Sequence, residues 1–330
     1  MKRRTSLSAL ATAMVMLAPH DVDAQVLGSW NDGPARQSII DFVTRVTRDG
    51  GPDYVAPGDR IATFDNDGTL WPENPVPFEI AFVFDQIKAD AARRPEWRNK
   101  QPYRAVIEGD IPGLLAQGRD AIVEVFMATH AGMTTDAFDR TVRDWIATAR
   151  HPHFNRRYAD LAYQPMLELL DYLRANDFKV FIVSGGGAEF MRVFAEELYG
   201  IPPERIIGTL LKTKYEMRND KPVLSIIPEL VHFDDRDGKP RAIQQVIGRR
   251  PLAAFGNSDG DQQMLQLTTI GRHPSFGLIV HHTDAAREYA YDSHPRSTGK
   301  LVAALAEARH RGWTVVDMKK DWKRVFAFEE

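Results

Sequence analysis

Arg60 to Phe64 form a short apolar run that halts at Asp65-Asn66-Asp67-Gly68-Thr69, and the same arrangement recurs twice further along the chain. Lys179–Val183 runs into Ser184-Gly185-Gly186-Gly187, and Leu252–Phe255 runs into Gly256-Asn257-Ser258-Asp259-Gly260-Asp261. Helical periodicity fills much of the chain between them, over Met166–Ala175, Ala188–Leu198 and Lys239–Ile247, with a further helix through Leu267 and one after Asp284. Strands are also predicted at Arg205–Leu211 and Phe276–His281, and a hairpin at Tyr215–Met217 and Val223–Ile227 around Asn219-Asp220. Short apolar strands separated by helices predict an α/β fold, a mostly parallel sheet with helices on both faces. In open sheets of this kind ligands bind at the carboxyl ends of the strands, which is where all three polar clusters fall.

A helix over Ser38–Val46 precedes the first strand, and Pro72, Pro75 and Pro77 make a stiff exit from it. Residues 78 to about 150 then show only helical periodicity, over Phe78–Arg93, Asp120–His130 and Thr135–Ala149, with Thr134 or Thr135 as N-cap of the last. The length of 330 residues accommodates about two domains. The expected division is a discontinuous core of residues 25–77 and 165–330 with a helical insert at 78–164. At the start of the chain, Lys2-Arg3-Arg4, an apolar stretch and Val22-Asp23-Ala24 have the pattern of a secretory signal peptide over residues 1–24, with cleavage before Gln25. The apolar stretch is too short for a membrane span of about 20 residues, so a periplasmic or secreted protein without stable membrane insertion is expected. Arg3-Arg4 leaves the general and twin-arginine export routes both open.

The net charge of −3 and the lack of a basic cluster beyond the first residues argue against an electrostatic nucleic-acid binder. The chain contains no cysteine. Disulfides, thiolate zinc sites and a thiol nucleophile are thereby excluded, and the chemistry falls to carboxylates, hydroxyls, Lys or His. Asp65 and Asp67 can point into one crevice, where they would repel each other unless a cation lies between them; Mg²⁺, which prefers oxygen ligands, is the expected ion. Asn257, Asp259 and Asp261 can complete an oxygen-only site. Ser184 and the glycines from Gly185 onward open a helix, whose free N–H groups attract an anion, and Lys239 supplies a positive charge. A carboxylate nucleophile, a neighbouring carboxyl acid/base, a divalent metal and hydroxyl, amide and ammonium contacts suit phosphoryl transfer.

Asp65-Asn66-Asp67-Gly68-Thr69 resembles the first motif of the haloacid dehalogenase superfamily hydrolases, in their phosphatase branch. Ser184 after an apolar strand matches the second motif, Lys239 in Gly-Lys-Pro the third, and Gly256 to Asp261 the fourth, in the family's order and spacing over about residues 58–290. The helical insert occupies the cap position of phosphoserine-phosphatase-like members. The resemblance implies a Rossmann-like core with an inserted all-helical cap and hydrolysis of a small phosphomonoester. By it, Asp65 attacks phosphorus to form an aspartyl-phosphate, and Asp67 protonates the leaving alcohol, activates water and offers its backbone carbonyl to Mg²⁺. Thr69 helps orient the first loop, while Ser184 and Lys239 hold the phosphoryl oxygens. In many relatives an Asp metal ligand follows the fourth-motif Gly, and here that residue is Asn257. Either Asn257 ligates through its amide oxygen, or Asp259 or Asp261 takes over. Dehalogenation, phosphonate cleavage and non-catalytic phosphoester binding are the alternatives on this fold; Asp67 argues against the first two. Phosphoester identity and oligomeric state have no readable code.

Other polar groups read as structural. His151-Pro152-His153 lacks a third zinc ligand at a recognisable spacing, His281-His282 closes a strand as packed or rim residues, and Asp234 to Gly238 reads as a solvated turn. Trp71 either lines the substrate entrance or packs. Trp313, Trp322 and Phe326 belong to a docked C-terminal segment.

Overall fold

The computed structural model describes residues 26–292 and 299–329, so the signal peptide expected at 1–24 lies outside the described residues. Helix α1 (Pro34–Thr47) leads to β1 (Ile61–Phe64), all four of whose residues are buried. Helices α2 (Phe78–Asp90), α3 (Tyr103–Glu108), α4 (Ile111–Ala116), α5 (Arg119–His130) and α6 (Thr135–Thr148) follow, with no named strand among them. Helix α7 (Gln164–Ala175) returns the chain to β2 (Lys179–Gly187), followed by α8 (Ala188–Arg192), α9 (Ala195–Tyr199), β3 (Ile206–Arg218) and β4 (Lys221–His232). The chain then runs through α10 (Gly238–Val246), β5 (Ala253–Gly256), α11 (Gln262–Thr269), β6 (Phe276–His281), α12 (Ala303–Arg311), β7 (Thr314–Asp317) and α13 (Met318–Asp321).

The seven strands lie in the order β4-β3-β2-β1-β5-β6-β7, parallel throughout except for the β3–β4 hairpin. Phe64 is in register with both Ile182 and Phe255, so β1 and β5 end within one residue of each other while β2 runs on past them to Gly187. After β1 the chain builds outward on one side through β2 and β3, then crosses to the other side for β5. That reversal opens a crevice at the carboxyl end of β1. Successive strand residues face opposite sides: Phe64, Ile182, Phe255 and Leu278 join the larger core, while Val183, Ile207, Ala254 and Ile279 join a smaller one with α10, α11 and α12. Phe64 stacks on Phe255 at 4.1 Å between centroids beneath the crevice.

Thr134 caps α6 by accepting from Ala137 N at 3.2 Å, as its position predicts. The insert is fastened to the hairpin across the crevice: Gly132 N donates to Ile226 O, and Ile226 N to Met133 O, both at 2.8 Å. Asn219 and Asp220 both take positive φ, 51° and 59°, which matches the twist of a two-residue hairpin and lets the arms run well beyond the predicted segments. Trp313, Trp322 and Phe326 are buried, and the tail docks as expected.

Three expectations need correction. The helix predicted at Ala188–Leu198 is two short ones, because Phe194 leaves helical geometry (φ −124°, ψ −15°) and packs its ring 4.7 Å from Trp71. The helix expected after Asp284 is α12, which starts only at Ala303 and does not follow Asp284 directly. Its carboxylate instead holds a turn through Ala286 N and Arg287 N, and Arg287 is tied to the carbonyls of Met318, Trp322 and Lys323. Asp234 is not in a solvated turn but fully buried, 3.1 Å from His232 Nε2.

Candidate active site

Asp65 continues β1 by one residue, its N–H donating to Phe255 O at 2.9 Å, so its side chain enters the crevice directly off the central strand. The chain then turns sharply: Thr69 N and Leu70 N both donate to Asn66 O, and Gly68 N donates to Trp71 O at 2.7 Å. Gly68 takes φ +74°, and a Cβ there would lie 2.0 Å from Asn257 Nδ2, so the position accepts only glycine. The turn brings Trp71 back beneath Asp67, whose Oδ1 accepts from the indole Nε1–H at 2.7 Å. Of the two roles open to Trp71, packing is the one the fold uses: the ring is fully buried against Phe78 and Phe194.

Lys239 opens α10 and is 2% exposed. Its Nζ lies 2.7 Å from Asp65 Oδ1 and 2.6 Å from Asp261 Oδ1. The second oxygen of Asp261 accepts from the N–H groups of Asn257 and Ser258 at 2.9 and 3.0 Å, holding the loop after β5 closed. Asn257 Oδ1 accepts from Thr69 Oγ1 at 3.2 Å, which ties that loop to the one after β1. Asp65, Asp67, Thr69, Ser184, Gly185, Lys239, Asn257 and Asp261 are therefore brought to one sheet edge.

Asp259 is not. Its Oδ1 accepts from Val302 N and Ala304 N, both at 2.9 Å, so it caps the start of α12 and turns from the crevice. The expected anion-binding helix end after Ser184 also differs from the prediction. β2 continues through Gly187, α8 has only five residues, and Gly187 N–H is already given to Glu79 Oε2 at 2.7 Å.

Several polar residues around the crevice lacked any sequence signal. Glu73 is buried beside the turn of Asp65 to Thr69, its Oε1 accepting from Asn257 Nδ2 at 2.6 Å and from Tyr291 OH at 2.7 Å. His282, expected only as a packed residue, contacts Gly68 O at 2.7 Å and Glu288 at 2.9 Å and so pins the turn from below. Glu79 projects from α2 over the glycines of β2, with His130 Nε2 3.7 Å away. His151 is a packed residue, bonded through Nε2 to Asn74 O.

Burial dominates the electrostatics. It pushes the Asp67 carboxyl up to about 6, against the indole hydrogen bond that favours its charged form. Burial and the neighbouring Asp261 charge push Asp65 up to about 8, opposed by Lys239. Burial likewise holds Glu73 well above the usual carboxylate range. The two carboxylates hold the Lys239 ammonium in its charged form, overriding the cost of burying it.

The crevice opens into a cleft of about 460 Å³. Its floor carries Asp65, Asp67, Ser184 and Lys239, and its outer wall is apolar, from Ile80, Ile122, Phe126 and Met127 of the insert and Leu230 and Phe233 of the hairpin region. Such a site can hold an anion at its base and an organic group above it. It offers one carboxylate for attack and another poised to exchange a proton near neutrality.

Comparison with known proteins agrees with the fold. A family model of haloacid dehalogenase-like hydrolases matches residues 62–266. A solved structure of a conserved protein of unknown function from Anaerococcus prevotii superposes with a TM-score of 0.52 at 14% identity, covering 86% of this chain and 91% of that one. A phosphoserine phosphohydrolase-like protein from Francisella tularensis gives 0.38 at 18% identity, with 75% and 98% covered. No curated protein matches the chain significantly.

Proposed function

The chain belongs to the haloacid dehalogenase-like hydrolases, and on that basis we propose that it is an exported, Mg²⁺-dependent phosphatase of small phosphomonoesters, acting through an aspartyl-phosphate. The observation that carries this reading is the pairing of Asp65, fixed at the end of β1 by Lys239, with Asp67, held by Trp71 on the same turn. Lys239 holds Oδ1 of Asp65, and the other oxygen attacks phosphorus. The new P–O bond forms as the ester P–O bond breaks, and Asp67 delivers its proton to the departing alkoxide. Asp67 then takes a proton from water, whose oxygen attacks the same phosphorus and releases phosphate and free Asp65. Ser184 Oγ and Lys239 steady the phosphoryl oxygens, and the apolar wall takes the alcohol portion.

The donor set fits a small hard cation. Asp65, Asp67, Glu73, Glu79 and Asp235 line the cleft together with Lys239, and the available ligands are oxygens. Asp65, the Asp67 backbone carbonyl and Asn257 would hold Mg²⁺. Bound there, the ion would supply positive charge to the phosphoryl oxygens.

The deciding experiment uses the exported chain, with Gln25 read as its N-terminal residue, on a chromogenic aryl phosphate with Mg²⁺ or with EDTA. Turnover that needs the metal is expected. A processed chain that binds phosphate analogues but turns over no phosphoester would favour a binding protein on this fold.

Trp71 sets the pH at which the acid step fails. Asp67 must carry a proton to donate one, so the leaving-group step weakens as pH rises through about 6. The indole N–H stabilises the carboxylate, so Trp71→Phe raises this pKa and moves the alkaline limb of kcat/KM upward by roughly 0.5–1 pH unit. A limb that stays in place or moves down would show that Asp67 is not the group reported.

A further inference from the structure

Resting on the reading of this cleft as a phosphatase site, we propose that its substrates are phosphomonoesters of hydrocarbon alcohols, whose alkyl chain lies along the apolar wall above the phosphate. The wall rises directly from the floor of Asp65, Ser184 and Lys239, so what fills it is the part of the ester bonded to the phosphoryl group held there.

Three observations support this class. First, α5 carries two apolar faces. Ala121 and Val125 are buried in the larger core, while Ile122, Val123, Phe126 and Met127, neighbours at one and four residues along the helix, all line the cleft. A helix apolar on that many sides is covered on all of them, and the second face of α5 meets the cleft. Second, the facing wall carries Leu230 at the end of β4 and Phe233 just beyond it. Toward the mouth, Val123, Leu230 and Phe233 remain 40%, 44% and 40% exposed. An alkyl chain rising from the floor would cover apolar surface on both sides at once. Third, the polar groups bordering the wall are engaged within the protein. Thr209 Oγ1 donates to Gly185 O at 2.7 Å and accepts from Asp234 N, Ser258 Oγ accepts from Gly260 N at 3.1 Å, and Glu79 Oε2 accepts from Gly187 N at 2.7 Å. A sugar or amino-acid phosphate would set hydroxyl or charged groups against these apolar side chains, which costs more than a hydrocarbon chain does.

The test is a series of n-alkylphosphonates from methyl to octyl, bound to the chain that starts at Gln25 in the presence of Mg²⁺ and followed by calorimetry. Their carbon–phosphorus bond replaces the ester bond, so binding is read apart from turnover. Affinity is expected to rise about two- to fourfold with each methylene. Ile122→Ser and Leu230→Ser, one from each wall, are each expected to lower the ratio of octyl to ethyl affinity by about threefold or more. A flat or falling series in the wild-type protein overturns the hydrocarbon class, and does so even where aryl phosphate is turned over, so the phosphatase reading survives that result. A rising series that neither substitution alters puts the chain elsewhere on the protein and also overturns the proposal. A rising series flattened by both substitutions, in a protein that hydrolyses no phosphoester, upholds the ligand class and removes the phosphatase reading instead.

Discussion

Asp65→Asn is expected to lower aryl phosphate turnover by about 10⁴-fold or more, while making the metal-free protein harder to melt. The first effect follows from removing the only attacking oxygen in the proposed mechanism. The second follows from burial. The folded protein holds the Asp65 carboxyl at about 8 against an ordinary value of 3.8, so between those values the folded state binds a proton that the unfolded chain has released. Stability from this group is therefore complete below about pH 4 and is lost as pH rises toward 8. Asparagine does not titrate and escapes that loss. In EDTA the melting temperature of the variant should exceed that of wild type most at pH 8, and the gap should close toward pH 4. Turnover that survives the substitution would remove the covalent mechanism. A variant less stable than wild type at pH 8 would show that the attraction of Lys239 for Asp65 outweighs desolvation.

The parts of the fold that were readable from the sequence are those encoded locally. β1, β2 and β5 appear as short apolar runs because a strand covered on both faces needs apolar residues on both, and each run stops where the polar loop begins. Asp65, Asp67, Ser184 and Lys239 were found because their motifs sit at those strand ends or at a helix start. Glu73 was not, since a glutamate between two prolines carries no pattern. Only the tight turn at Gly68 folds it back beneath Asn257, and its partner Tyr291 is 218 residues away in sequence. Asp259 failed in the opposite way. Spacing alone placed it on equal terms with Asn257 and Asp261, whereas the amides of Val302 and Ala304 decide its direction, and no local pattern reports them. The helix expected after Asp284 begins only at Ala303, and the intervening turn is shaped by the same kind of long-range competition, with Arg287 drawn to the carbonyls of the C-terminal segment.

Lys239→Met tests the charge balance of the site from the other side. In wild type, Asp65, Asp261 and Lys239 form a buried cluster that gains one excess negative charge as Asp65 ionises toward pH 8, whereas Asp65→Asn keeps that cluster neutral. Methionine at 239 instead leaves two carboxylates facing each other with their cation gone. Breaking a buried ion pair by removing one partner costs about 3–5 kcal/mol, and a denaturant midpoint in EDTA near neutral pH should fall accordingly. The loss is expected to depend on pH with a definite sign. Without Lys239 the folded-state pKa of Asp65 rises further, so the folded state gains more from its protonation than wild type does. Acidification to pH 5 should therefore recover a large part of the deficit. Mg²⁺ should also recover part of it at neutral pH by restoring positive charge, though turnover should stay low because one hold on the phosphoryl group and on Asp65 has gone. A deficit of equal size at pH 5 and pH 8, insensitive to Mg²⁺, would mean that Lys239 stabilises the fold by packing its stem between α10 and the sheet rather than by its charge.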